Sequence, residues 1–329
     1  MHLRVVPVVA GCRKSDGLKF RMIKVSAAQP GQQETVLRLM FAGSSEQERS
    51  EHTREIIEAS QQGQLCLDGL LMATIDGETV GSMLYVMQPG ATAFVWPPAV
   101  CGPVSVDAVV DALFTELRDR IDEAGAWIGQ CLVELQDTAV RRALVRNEFA
   151  HLADLLYLQR PLEYPIQPQA DVPFQTVTFD PASNHQRFIS LLERTYAGTL
   201  DCPSLNGIRT GAEALASHQA SGEFDPSRWK IYRVRRADVG ILLLNDQPEQ
   251  NAWEVVYMGI VPEARGKGYG RTMLLSGLQE AKDAGRASML LAVDNQNNYA
   301  KRVYGELQFV EQAVRAVHVR MGKRRRGAE

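Results

Sequence analysis

The sequence predicts an α/β chain of two domains in tandem, and three observations carry that prediction. A proline-rich stretch at 160–173, RPLEYPIQPQADVP, divides the 329 residues almost in half. Each proline removes a backbone donor and favours extended chain, so this stretch reads as a linker, 161–173. The two halves show the same succession of helix-like and strand-like segments. In the second half, a strand-like run passes into a helix through a turn with glycines at Gly266, Gly268 and Gly270.

Composition bounds the class. Hydrophobic residues make up 45% and charged residues 23%, the balance of an ordinary globular protein whose halves are each long enough to bury a core. The net charge of -3 gives no general reason to expect nucleic acid or an anionic membrane as partner. The basic run at 323–326 reads as a solvated tail, 322–329. Five cysteines, Cys12, Cys66, Cys101, Cys131 and Cys202, are odd in number and widely spaced, with no CxxC. That points to free thiols, a reducing cytoplasmic compartment and no metal site. No apolar run approaches the roughly 20 residues that span a bilayer. Residues 1–21 read as a leader ahead of a fold that begins at Met22, rather than as a lipidation signal ending at Cys12.

The elements follow in order. In the first domain, 22–160, helices are expected at 33–43 and 49–61, then strands at 67–74, 79–87 and 92–96. A helix fits 106–123, a strand 127–134, a helix 138–146 and a closing strand 152–159. In the second domain, 174–321, residues 174–179 alternate as a strand. Phe188, Leu191, Leu192 and Tyr196 recur at helical spacing over 184–197. A polar loop at 198–210 and a short helix before Gly222 lead to strand-like runs at 230–234, 240–244 and 253–261. Residues 270–284 form an amphipathic helix through Leu274, Leu278 and Ala281. A strand at 289–293, a helix at 297–307 and a strand at 310–321 finish the domain. In that last strand Val317, Val319 and Met321 alternate against His318 and Arg320.

The chemistry concentrates at 253–278. A glycine-rich turn between strand and helix presents unpaired backbone N–H groups and the positive end of the helix dipole, which suit a pyrophosphate. Gly266, Gly268 and Gly270 let the backbone approach phosphates closely, and Arg265, Lys267 and Arg271 add charge. Other phosphate motifs fit less well. Val261 stands where a Walker loop needs its first glycine, with Gly268 at the hydroxyl position. Arg271 stands where a dinucleotide fingerprint needs its third glycine.

RGKGYG at 265–270, with Ile260 and Pro262 before it, resembles the acetyl-CoA loop of the GCN5-related N-acetyltransferase (GNAT) superfamily, Arg/Gln-x-x-Gly-x-Gly/Ala. NQNNYAKRVYGELQF at 295–309 resembles that family's second motif, Asn-x-x-Ala-x-x-x-Tyr-x-x-x-x-Phe, with Asn297, Ala300, Tyr304 and Phe309 on the matching positions. The resemblance covers roughly 174–321. Gln308 departs from it, standing where the family has glycine.

The resemblance implies a mixed, mostly antiparallel sheet flanked by helices in each domain, and acetyl-CoA as acyl-donor substrate with no metal. The backbone of Met258, Gly259 and Ile260 would pair with pantetheine and polarise the thioester carbonyl. Arg265, Gly266, Lys267, Gly268, Tyr269, Gly270 and Arg271 would cradle the pyrophosphate, and Asn297 would bond CoA or else simply cap its helix. Tyr304 would protonate the departing sulfur. Glu254, in an otherwise apolar strand, matches the strand glutamate that serves as base in one branch of the superfamily, and an edge charge is the alternative. Glu263, His218 and His318 are weaker base candidates. Asp201 is the charge to watch in the 198–210 loop, and Cys202 is not a nucleophile, because the family transfers the acyl group directly.

The first half resembles a degenerate copy. No Arg-x-x-Gly-x-Gly follows its run at 93–103, and Leu144 falls opposite Tyr304 when Phe149 is set against Phe309. Tandem members of the superfamily, the mycothiol synthases among them, share this plan, which does not fix a substrate. The expected function is transfer of acetyl to a primary amine, on a small molecule or a peptide, in the C-terminal domain. The alternative is a non-catalytic acyl-CoA sensor. Nucleic-acid binding through RGKGYGR and the tail fits the overall charge poorly.

Overall fold

The computed structural model describes residues 22–166, 172–205 and 207–322. The expected leader, Cys12, the middle of the linker and the basic tail lie outside the described residues. The chain divides into two compact units, Met1–His151 with Ala316–Glu329, and Leu152–Arg315.

Unit 1 runs β1 (Ile23–Ala27), α1 (Gln33–Met40), α2 (Glu46–Gln61), β2 (Leu70–Ile75), β3 (Glu78–Gln88), β4 (Thr92–Val95), β5 (Ala99–Val100), α3 (Val106–Glu123), β6 (Ile128–Glu134) and α4 (Thr138–Arg146). Strands β1 to β4 pair antiparallel in sequence, and β4 pairs parallel with β6. Leu113, Phe114, Leu117 and Ile121 of α3 are buried with Phe149 in one core. Val36, Leu37 and Met40 of α1 are buried with Ile56 of α2 in another. Ser45 begins α2 with a capping box, trading hydrogen bonds with Glu48.

The strand that closes the first half of the sequence, β7 (Ala150–Pro161), belongs to unit 2 from Leu152 onward. There follow β8 (Gln175–Thr178), α5 (His185–Tyr196), α6 (Gly211–Gln219), β9 (Trp229–Val234), β10 (Ala237–Gln247), β11 (Ala252–Ile260), α7 (Tyr269–Asp283), β12 (Ser288–Asp294), α8 (Asn298–Glu306) and β13 (Val310–Met321). The unit 2 sheet has the order β8-β9-β10-β11-β12-β7, antiparallel except for the parallel β11–β12 pair. Met273, Leu274, Leu275, Leu278 and Ala281 bury one face of α7 on it. Trp229 is fully buried and donates its Nε1–H to Asn245 at 2.8 Å, while the Asn245 amide donates to the His218 carbonyl at 2.7 Å. That buried amide fixes the end of α6 to the sheet, because leaving it unpaired would cost about 1–3 kcal/mol.

The mixed sheets and flanking helices agree with the expected fold class. Two strands escaped the sequence reading: β1, a short strand ahead of the first expected helix, and the two-residue β5 after Pro97 and Pro98. The division also differs from one at the linker, since residues 152–160 belong to unit 2 and 316–322 to unit 1. The alternation in β13 suggested one polar face. Instead Ala316, Val317, His318, Val319 and Arg320 are all buried, and Met321 is exposed. The polar pair is tolerated because it has partners. His318 Nδ1–H donates to the Phe149 carbonyl at 3.1 Å, and Arg320 grips Asp122 through two bonds of 2.7 and 2.8 Å.

Candidate active site

A bulge in β11 begins the site. Leu243 of β10 pairs with Tyr257 but Leu244 pairs with Val255, so Val256 is an extra residue, and such an insertion bends a strand. On the other edge, the parallel ladder with β12 ends at Val255↔Leu291. Met258, Gly259 and Ile260 keep their β10 partners Leu242, Ile241 and Gly240. Together with Val293 of β12 they line a cleft of about 460 Å³.

Gly266, Gly268, Tyr269, Gly270 and Arg271 line the same cleft. Gly266 and Gly268 have φ of 75° and 76°, a region that costs other L-residues roughly 1–2 kcal/mol. Gly268 is also the N-cap of α7, and no side chain caps that helix. The first turn of α7 is therefore suited to an anion from outside. At α3 in unit 1, by contrast, Ser105 caps the helix by accepting from Ala108 N–H.

The three expected phosphate cations do not behave alike. Arg271 lines the cleft. Arg265 lines it too, and its guanidinium bonds three carbonyls, Ile260 at 3.1 Å and Gly198 and Thr195 at 2.9 Å each. It ties the end of α5 to the glycine loop. Lys267 is absent from the cleft wall, and its Nζ–H donates to the Glu263 carbonyl at 3.0 Å.

Tyr304 of α8 lines the cleft, its ring 5.7 Å from Phe309. Burial, and then the charge of Asp201, push its hydroxyl well above the usual tyrosine range, so it keeps its proton. Asn297 lines the cleft and also caps α8, accepting from Ala300 N–H at 3.1 Å. Asp201 is the cleft-lining carboxylate. The surrounding protein wall, and then Asp294, raise its carboxyl, although the N–H of Asp294 pulls the other way.

Glu254 is not brought to the cleft. Its carboxylate accepts from the Gln247 amide at 2.5 Å, and burial raises it above the usual carboxylate range. Glu263 is exposed and paired with Arg194 at 2.6 Å. His318 lies in unit 1. Burial, and then Arg209, push His218 down to about 3, far too weak a base for an ammonium group. Burial, with Asp201 and Asp294 adding, raises the Cys202 thiol to about 12, so it is not a thiolate nucleophile.

Sequence reasoning missed Thr195 and Tyr257, which line the cleft and share a hydrogen bond of 2.7 Å. Neither lies in a motif; their meeting depends on how α5 crosses β11. Leu200 and Tyr299, at 59% and 56% exposure, line the cleft as well.

Residues 215–309 match the Acetyltransferase (GNAT) family. The mycothiol acetyltransferase of Thermomonospora curvata is 32% identical over 181 residues, which are 54% of this chain and 59% of that protein. The mycothiol acetyltransferase of Gordonia bronchialis is 25% identical over 74% of this chain and 82% of its own. Against the counterparts of Thermomonospora curvata, Thermobispora bispora and Rhodococcus jostii, the chain spans under two thirds of their length, 59%, 56% and 61%. A GCN5-related N-acetyltransferase from Sphaerobacter thermophilus superposes with a TM-score of 0.62 at 16% identity, covering 92% of this chain and 97% of that one. A tandem GNAT protein from the clavulanic acid biosynthesis pathway gives 0.50 at 12% identity, covering 91% and 98%. The fold is the tandem GNAT fold, and the resemblance of the motifs to that superfamily holds.

Proposed function

We propose that this chain, whose second unit carries a GNAT acetyltransferase domain, transfers acetyl from acetyl-CoA to a primary amine by direct attack in the unit 2 cleft. One observation carries the proposal: the splayed edge of Met258–Ile260, the uncapped first turn of α7 and Tyr304 line one cleft.

The chemistry follows from those groups. A primary amine has a pKa near 10, and its neutral form attacks the thioester carbonyl carbon. Backbone N–H donors along Met258–Ile260 would receive the developing oxyanion. The C–S bond breaks, and the Tyr304 hydroxyl gives its proton to the leaving sulfur. The proton shed by the amine goes to a carboxylate. Asp201 lines the cleft and Glu254 does not, so Asp201 is the base we propose. Gly266, Gly268, Tyr269, Gly270 and Arg271 would hold the pyrophosphate and Asn297 the CoA. The relatives' name supports a small-molecule acceptor. Unit 1 serves as a degenerate copy, since Ser105 occupies the N-terminus of α3 and Leu144 stands in for the tyrosine.

Calorimetric titration with acetyl-CoA tests this. The native protein should bind with micromolar affinity at one site, and Gly268→Glu should abolish binding. No binding by the native protein would overturn the proposal. Binding with no turnover across a panel of amines would favour a non-catalytic sensor.

A further inference from the structure

The wall formed by Thr195 and Tyr257 has a construction that the transfer chemistry above does not use. Thr195 is buried, at 2% exposure, and its single hydroxyl proton goes to the Leu192 carbonyl at 2.6 Å. The Tyr257 hydroxyl must therefore be the donor in the 2.7 Å bond between the two side chains. The Tyr257 ring is braced behind by Tyr196, edge-on at 5.6 Å, and by His218 at 5.3 Å. Thr195 is tied in turn to the glycine loop, because Arg265 holds its carbonyl. The wall closes directly over Gly259, where an added Cβ would lie 2.7 Å from Thr195 Cβ, Thr195 Oγ1 and the Tyr257 hydroxyl. At Gly259 itself the wall leaves no room for a side chain.

We propose that the Thr195–Tyr257 pair sets the acyl chain length of the thioester donor, admitting acetyl and excluding longer chains. The inference rests on the acetyltransferase reading. A donor whose pantetheine follows the Met258–Ile260 edge, with its sulfur toward Tyr304, presents its acyl group to this wall. A longer chain has to displace the pair, leaving a hydroxyl unpaired in a buried site. Each methylene refused by such a pocket is worth about 10- to 200-fold. Side chains from two elements, rather than the shared backbone geometry, thus make the choice.

The test compares calorimetric affinities for CoA, acetyl-CoA, butyryl-CoA and hexanoyl-CoA. The native protein should favour acetyl-CoA over hexanoyl-CoA by at least about tenfold. Tyr257→Ala and, separately, Thr195→Ala should narrow that ratio to about threefold or less by strengthening hexanoyl-CoA binding. Retained binding of CoA itself shows that a variant is folded, and the two variants guard against one that is not. A native protein that binds hexanoyl-CoA as tightly as acetyl-CoA overturns the inference, as does an unchanged ratio in both folded variants. Native protein that binds no acetyl-CoA overturns the acetyltransferase reading itself, an outcome distinct from either.

Discussion

Asp201 and Asp294 pin each other's segments: the Asp201 carboxylate accepts the backbone N–H of Asp294 at 2.8 Å, and the Asp294 carboxylate accepts the N–H of Cys202 at 3.1 Å. Asp294 is buried and also accepts from Gln296 N–H at 2.8 Å. The polar loop after α5 is thereby fastened to the end of β12 beside the cleft. Asp294→Ala strands these donors and should cost about 1–3 kcal/mol of stability. Thermal unfolding measures that cost, and steady-state kinetics should show the acceptor KM rising more than the acetyl-CoA KM.

The two carboxylates separate by substitution. Asp201→Asn should lower turnover by about 10²- to 10⁴-fold if Asp201 is the base. A base must be ionised, and its raised carboxyl places the acidic limb of kcat/KM above the usual carboxylate range. Activity then falls as pH drops through that limb, and Asp201→Asn should remove it. If Glu254→Gln removes the limb instead, the base is Glu254, as the sequence suggested.

Glu254→Gln also carries a stability prediction. Burial raises this carboxyl in the folded state, so the fold favours its protonated form. That contribution is present below the unfolded carboxyl pKa of about 4 and is lost as pH rises past it. At neutral pH the amide should melt no lower than the native protein, and the difference should vanish in acid. Melting curves across pH measure it.

Tyr304→Phe keeps the ring on Phe309 and deletes the proton. Turnover should fall roughly ten- to a hundredfold, a modest loss because a thiol pKa near 8.5 already makes the thiolate a fair leaving group. Acetyl-CoA affinity should move little. Unchanged turnover removes Tyr304 from the mechanism.

Gln308 follows α8 with φ of 66°, the left-handed geometry that glycine adopts freely, and Glu148 repeats it after α4 at 73°. Gln308→Gly should stabilise the protein by about 1 kcal/mol, raising Tm by roughly 2–4 °C. Differential scanning calorimetry settles the sign.

How much of this was legible in the sequence follows from which interactions are local. Helical and strand periodicity reproduced most elements, with α3 and α4 matching over their whole length, because burial on one face leaves a period of 3.6 or 2 in the chain. The glycine loop was legible because positive φ selects glycine, and Asn297, Ala300 and Tyr304 because one short helix and its N-cap carry them to the cleft. What escaped depends on contacts far apart in the chain. Residue type marked Arg265 as a cleft cation, but not that its guanidinium would also hold the carbonyls of Thr195 and Gly198 at the end of α5. Glu254 stood in the expected strand, but its carboxylate pairs with Gln247, and Asp294, ninety-three residues further on, holds Asp201 at the cleft. The alternation in β13 promised an exposed face, and Asp122 and Phe149, 198 and 169 residues before their partners, made it a buried one. The sequence by itself determined the elements, their order and the glycine turn, since neighbours within a few residues suffice for those. Only the tertiary structure decided which unit each closing strand joins, which charges are already engaged, and which side chains wall the cleft. Those outcomes turn on burial and pairing between residues whose separation leaves no local pattern.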